Sequence, residues 1–159
     1  MTSDHERGTE GYTLAQAVLA VRRAQVLVAE DDPEMRALLA SCLRRDGYSV
    51  IEVSDGAELL DRLGDCLALP YAASPDLIVS DLRMPGASGM QVLAGLNSAG
   101  SRTPLVLITA FGDEETHRTA NALGAAAVLD KPLDLDELRD TVLFQLARAW
   151  RRAGPGFDT

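Results

Sequence analysis

The chain has 159 residues, of which 47% are apolar and 25% charged, and its formal net charge is −9. This is the balance of one soluble globular domain, long enough to bury a real core. The negative charge argues against non-specific binding to nucleic acid or to an anionic membrane surface.

The opening "MTSDHERGTE" is acidic rather than basic, unlike a secretory leader, and "LAQAVLAV" is far too short to cross a bilayer. Residues 1–24 read as an N-terminal extension, polar and disordered up to about residue 11. Over 12–23, Leu14, Ala17, Val18 and Val21 recur at helical spacing, which fits either a short amphipathic helix or a frayed extension. From residue 25 the pattern alternates strictly. "QVLVA" at 25–29 is a strand, and a helix over 33–47 follows with Met35, Leu38, Leu39, Cys42 and Leu43 on one face. Asp32 suits its N-cap, Pro33 its first turn and Gly47 its stop. Residues 48–53 read as a strand and 56–69 as a helix. The connection "PYAAS" leads to the strand "DLIVS" at 76–80. A helix over 89–100, a strand over 104–109, a helix over 113–124 and a strand over 126–130 come next. The last helix, 135–152, takes Asp134 as N-cap and carries Leu135, Leu138, Val142 and Ala149 on its inner face. Near its end the short basic cluster of Arg148, Arg151 and Arg152 reads as a solvated helix terminus. Residues 151–159 form a flexible tail. The cysteines, Cys42 and Cys66, lack metal-ligand spacing, and Cys42 reads as a buried free thiol of a reducing cytoplasm.

Five apolar strands alternating with five helices predict an α/β fold, a doubly wound five-stranded parallel sheet with helices on both faces. Ligands of such sheets sit at the carboxyl ends of the strands, near the point where strand order reverses. The first strand ends in Glu30 and Asp31, the third in Asp81, the fourth in Thr109, and the fifth in Asp130 and Lys131-Pro132. Converging acids with a single lysine form an unbalanced cluster, since charges about 4 Å apart interact by about 4 kcal/mol at an effective dielectric near 20. A hard divalent cation holds such a cluster most naturally, and Mg²⁺ completes its shell with water and phosphate oxygens. The chemistry that follows is phosphoryl transfer to a carboxylate, with Asp81 as nucleophile and with Lys131 and the Thr109 hydroxyl on the transferred group's oxygens. An ionised carboxylate needs no general base. In keeping with that, no histidine is expected near a strand end: His5 falls in the N-terminal tail and His117 on a polar helix face, where it reads as solvated.

"VAEDDPEMR", "LIVSDLRMPGASGM", "LVLITAFGD" and "AVLDKPLDLDEL", in this order and spacing, resemble the receiver domain of two-component response regulators. The resemblance covers about 25–150 and implies a flavodoxin-like, CheY-like fold. It implies Asp81 as phosphoacceptor, with Glu30, Asp31, Asp81 and the backbone carbonyl of Arg83 around Mg²⁺. It matches Thr109 to the switch hydroxyl and Lys131 to the family's lysine, followed by a proline, Pro132, whose peptide bond is usually cis. Asp32 falls outside the metal pair and is explained by its capping role. The pattern departs at Val128, where the family usually has Tyr or Phe; Phe111, two residues after Thr109, is the candidate substitute. The connection through 65–75 is also longer than usual and reads as a tolerated surface insertion.

The implied function is a cytoplasmic switch rather than an enzyme, apart from slow self-phosphorylation from small donors and autodephosphorylation. A histidine kinase or phosphotransfer protein would donate the phosphoryl group. The face built from the fourth helix, fifth strand and fifth helix would then bind an effector protein or form a phospho-dependent homodimer, with no direct role for nucleic acid or membrane. The residues after Trp150 cannot hold an effector domain, so the expectation is a stand-alone regulator or a receiver cut from a longer protein. Two alternatives stand beside this reading. One is a degenerate receiver acting only as a binding module. The other is an Asp-based phosphatase, although Arg83 stands where that class carries its second acid.

Overall fold

The computed structural model describes residues 23–68, 74–110 and 112–153, together with Thr13 and Ala15. Most of the expected helix over 12–23, the middle of the 65–75 connection, Phe111 and the end of the tail lie outside the described residues. The elements follow the predicted alternation: β1 (Gln25–Ala29), α1 (Pro33–Arg45), β2 (Ser49–Val53), α2 (Gly56–Ala68), β3 (Leu77–Asp81), α3 (Gly89–Ser98), β4 (Leu105–Thr109), α4 (Glu114–Ala122), β5 (Ala127–Asp130) and α5 (Leu135–Ala153). The sheet order is β2-β1-β3-β4-β5, and every pairing is parallel.

Side chains alternate across a strand, so each central strand feeds two cores. Val26, Val28, Leu77, Val79, Val106, Ile108 and Leu129 point to one face, where Leu39 and Leu43 of α1 and Leu138, Val142 and Leu146 of α5 cover them. Leu27, Ala29, Ile78, Leu105 and Leu107 point to the other, under Leu59 and Leu63 of α2, Val92, Leu93 and Leu96 of α3, and Ala120 of α4. All five residues of β3 and of β4 are buried. The outer strands β2 and β5 are only half-buried, because each has a neighbour on one side alone.

Local signals set the element ends. Asp32 caps α1 by accepting from the Glu34 N–H at 3.1 Å, and Pro33 opens the helix. Gly47, at φ 98°, takes the left-handed conformation just beyond it. Asp134 accepts from the Asp136 N–H at 2.9 Å at the start of α5. The Arg139 guanidinium forks onto Asp46, Nε and Nη2 each 2.9 Å from a carboxylate oxygen, and clasps α5 to the end of α1.

Three packing expectations change. Leu38 is 48% exposed, because Leu39 and Leu43 already fill the groove between α1 and the sheet. Cys42 is half-buried and reduced, its thiol pushed up chiefly by burial, and Cys66 is also half-buried and reduced. On α5, Leu146 occupies the inner row, whereas Ala149 is only half-buried.

Leu43→Ala is expected to cost about 2–5 kcal/mol in urea unfolding and Leu38→Ala less than about 1 kcal/mol, since only the first leaves a cavity. Equal losses would contradict the packing of α1.

Candidate functional site

The chain winds outward from β1 to β2, then crosses back past β1 to β3. The loops leaving β1 and β3 therefore run to opposite sides of the sheet, and a crevice opens between them at the carboxyl ends. Two acidic segments reach it, Glu30-Asp31 from β1 and Asp81 from β3. One carboxylate oxygen from each of Glu30, Asp31 and Asp81 lies within 4.8 Å of the others. Glu30 and Asp81 are buried, and Asp31 is exposed at the rim.

Lys131 brings the opposing charge. Its Nζ lies 3.5 Å from Asp81 Oδ2 and 4.0 Å from Glu30 Oε2. Its backbone N–H donates to the Thr109 carbonyl at 2.8 Å, which fixes the chain where it leaves β5. Thr109 is buried at the end of β4, between β3 and β5. The Lys131–Pro132 peptide bond is cis.

Glu30 is held but not satisfied. The Asp32 N–H donates to its Oε1 at 3.2 Å, whereas Oε2 is buried and has no hydrogen-bond partner among the described residues. Burial first, and then the neighbouring Asp81 carboxylate, push the Glu30 carboxyl up to about 7, against the opposing pull of the Asp32 N–H and Lys131. An orphaned, buried carboxylate oxygen facing two further carboxylates is what a hard cation satisfies, and the all-oxygen donor set fits Mg²⁺.

The backbone around the crevice is pinned. Leu82 N–H donates to Ile108, Gly89 N–H to Leu82 and Gly56 N–H to Pro85, each at 2.9 Å, so the turn carrying Arg83 is tied at three points. A Cβ at Gly89 would stand 2.6 Å from the Asp81 carbonyl oxygen and 2.7 Å from the Leu107 side chain. A side chain there would displace the strand end that presents Asp81. Beside it, Ser88 and Gln91 form a capping box that starts α3. Arg36 of α1 donates to the Glu30 carbonyl at 2.8 Å and steadies the end of β1. Neither Gly89 nor Arg36 stands out by residue type, although the Ser-Gly-Met-Gln stretch carries the capping-box spacing.

Asp130 does not join the acids. Leu129 points into the core under α1 and α5, so the next residue points the other way, towards α4. There Asp130 Oδ1 meets His117 Nε2 at 2.8 Å. A histidine therefore does reach a strand end, contrary to expectation: His117 lies early on α4, directly across from the end of β5. The pair lines an open hollow with Gly112, Glu114, Arg118 and Asn121. Val128, half-buried, packs into the core on the α2–α4 side of the sheet.

The family described as response regulator receiver domain matches residues 26–143. Among curated proteins, the chain is 27% identical over 118 residues to sporulation initiation phosphotransferase F of Bacillus subtilis, covering 74% of this chain and 90% of that protein. It is 37% identical over 136 residues to the transcriptional regulatory protein TcrA of Mycobacterium tuberculosis, covering 85% of this chain but only 49% of that protein. Among solved structures, the receiver domain of the Francisella response regulator 1452 matches with a TM-score of 0.70 and 26% identity, covering 80% of this chain and 100% of that one. The chemotaxis response regulator CheY4 of Vibrio cholerae matches with a TM-score of 0.64 and 28% identity, covering 80% of this chain and 99% of that one. Among the described residues no helix is long and apolar enough to cross a membrane.

The raised Glu30 carboxyl gives the metal-free chain a distinctive pH profile. Its folded value of about 7 exceeds the ordinary 4.5, so the folded state binds the extra proton between those values. Stability is then highest below that window and falls as pH rises through it, by on the order of 1–3 kcal/mol. Glu30→Gln is expected to abolish this slope and to be the more stable protein at pH 8 in chelator, read by thermal melts. Parallel pH profiles for the two proteins would contradict the site's electrostatics.

Proposed function

The chain belongs to the response regulator receiver domain family, and from that premise we propose that it is a phosphoacceptor switch of two-component signalling, with Asp81 as the residue that takes the phosphoryl group. In this reading residues 25–150 are the receiver unit, residues 1–24 an extension and 151–159 a tail. The observation that carries it is the meeting of a buried Asp81 with Lys131 at 3.5 Å beside the orphaned oxygen of Glu30. That one relative is named a phosphotransferase and another a transcriptional regulatory protein supports phosphoryl transfer and a regulatory output.

The donor would be a phosphohistidine of a histidine kinase or phosphotransfer protein. An Asp81 carboxylate oxygen attacks phosphorus in line; the new P–O bond forms as the P–N bond breaks, and the imidazole nitrogen keeps the electron pair. Lys131 neutralises one equatorial oxygen and the Thr109 hydroxyl donates to another. Glu30, Asp31, Asp81 and the Arg83 carbonyl would hold Mg²⁺, which when bound supplies positive charge to the transferred group's oxygens. The pinned turn after Asp81 keeps the nucleophile and the Arg83 carbonyl in fixed relation. Slow hydrolysis of the acyl phosphate resets the switch.

Phosphorylation adds about −1.5 to −2 charge to the crevice. It draws Thr109 and Lys131 inwards and biases the face of α4, β5 and α5, which would bind an effector protein or a second phosphorylated copy. Coupling on the order of 1–3 kcal/mol shifts partner affinity about 5- to 150-fold. With Val128 packed into the core where the family usually has an aromatic ring, the His117–Asp130 bridge between α4 and β5 is the contact most directly placed to report that shift.

Incubation with acetyl phosphate and Mg²⁺, followed by intact mass, is expected to show one phosphoryl adduct that Asp81→Asn abolishes and Thr109→Ala retains. Labelling that survives Asp81→Asn would relocate the nucleophile. A wild-type chain that takes up nothing, from this donor or from a cognate kinase, would leave a phosphorylation-independent binding module. Mg²⁺ is expected to raise the melting temperature more at pH 8 than at pH 5.5, because the Glu30 proton competes with it. Asp31→Asn weakens that shift.

A further inference from the structure

The last helix outruns the sheet it covers. Its 19 residues span about 28 Å, against about 16 Å for a five-residue strand such as β1. It starts beside the crevice and runs back over the sheet, so its final turns stand at the amino ends of the strands, where Ala24 leads into β1. Ala24, Leu143, Ala147 and Trp150 all pack against the same core. From that core an apolar flank about 120° wide climbs the helix surface. It passes through half-buried Leu143, Trp150 and Ala147 to Phe144, which is 63% exposed. Arg148, Arg151 and Arg152 rim a hollow beside Phe144, all three exposed, and none forms an ion pair among the described residues. An apolar patch with a positive rim marks a docking surface.

We propose that the occupant is the chain's own N-terminal segment: residues 14–22 pack as a helix across the foot of α5, an intramolecular strap held by the acids that precede it. The segment enters β1 at that same foot, so no long linker has to be closed. The chain is helical at Ala15 and not at Thr13, and Thr13 and Gln16 have the spacing of a capping box. Leu14, Ala17, Val18 and Val21 then share one side of the helix. That row and the flank from Leu143 to Trp150 both span seven residue steps, about 11 Å of helix. Asp4, Glu6 and Glu10 precede the row and outnumber Arg7, whereas Arg22 and Arg23 follow it. A strap lying level beside α5 would set Arg22 and Arg23 against Arg151 and Arg152. Like-charge repulsion rejects that pose and favours a crossing that brings the acids over the arginine rim. A tethered segment meets its surface at high effective concentration, so a patch too small to hold a separate protein suffices. The strap lies at the far end of α5 from the crevice, and it restricts access to the helix's outer face without touching Asp81. The inference goes beyond the phosphoacceptor reading and is tested without phosphorylation.

Trp150 is the only tryptophan of the chain and reports directly on the patch. In the full chain, Leu14→Asp with Val18→Asp is expected to shift its emission to the red and to raise its quenching by acrylamide. Glu6→Lys with Glu10→Lys raises the quenching in the same direction, as does Arg148→Glu with Arg151→Glu, and the four changes combined restore protection. Circular dichroism confirms that each variant remains folded. Ala17→Cys with Ala147→Cys gives a second readout: oxidation is expected to link these two positions within a monomer, identified by peptide mass. Quenching that ignores the changes at Leu14 and Val18 in a folded chain overturns the proposal, as does a combined charge swap that leaves Trp150 as accessible as either half. A cross-link that forms only between two copies would give the surface to a second molecule and overturn it equally.

Discussion

The structure turns on placing three carboxylates within 4.8 Å of one another at the edge of a dry sheet. Ionised groups resist such crowding, and burial removes the water that would soften it. Lys131 answers only part of this, since it stands 3.5 Å from Asp81 but 4.0 Å from Glu30. The remainder shows in Glu30, whose carboxyl rises to about 7 and whose Oε2 is left without a hydrogen bond among the described residues. A cluster with this unbalanced negative charge favours whatever brings positive charge to it. The strain is local, and a well-packed sheet is what keeps it from relaxing.

That sheet explains why the cluster exists at all. Glu30-Asp31, Asp81 and Lys131 are spread over about a hundred residues of sequence, and only the strand order β2-β1-β3-β4-β5 brings the ends of β1 and β3 side by side. Both central strands are locked on two faces by leucine, isoleucine and valine, so a shift of their carboxyl ends would disturb two cores at once. The loops are held to the same standard. Arg36 fixes the end of β1, and Gly89 lets α3 start directly beneath the Asp81 carbonyl. Positioning is thus distributed over residues that never enter the crevice.

The sequence showed the fold and the rim because both rest on period and order. Alternating apolar runs named five strands and five helices, and the acids at three strand ends followed from where the runs stop. What it did not show depends on direction. Leu38 shares a helical face with Leu39 on a wheel, but only the latter fits between α1 and the sheet, a matter of packing angle rather than periodicity. Asp130 stands at a strand end like the other acids, yet the alternation of β5 aims it at His117 because Leu129 takes the opposite core. His117 looked solvated because its partner lies on a different element. Gly89 and Arg36 act through backbone contacts, which residue type alone does not announce.

The path from the crevice to α5 is short in covalent terms. Lys131 lies at the site, Asp134 caps the helix, and Leu138 is already buried in the core one turn later. Lys131 is also tied through its N–H to the Thr109 carbonyl, so the two residues proposed to close on the phosphoryl group share one backbone hydrogen bond. A displacement of either would therefore reach the start of α5 and the end of β4 together. Beyond its first turn α5 is less free to follow, because Arg139 is clasped to Asp46 of α1 and, further along, Leu146 is seated in the core. The proposed response is then a tilt of the α4–β5 edge against a fixed α5, with the His117–Asp130 contact at the moving boundary.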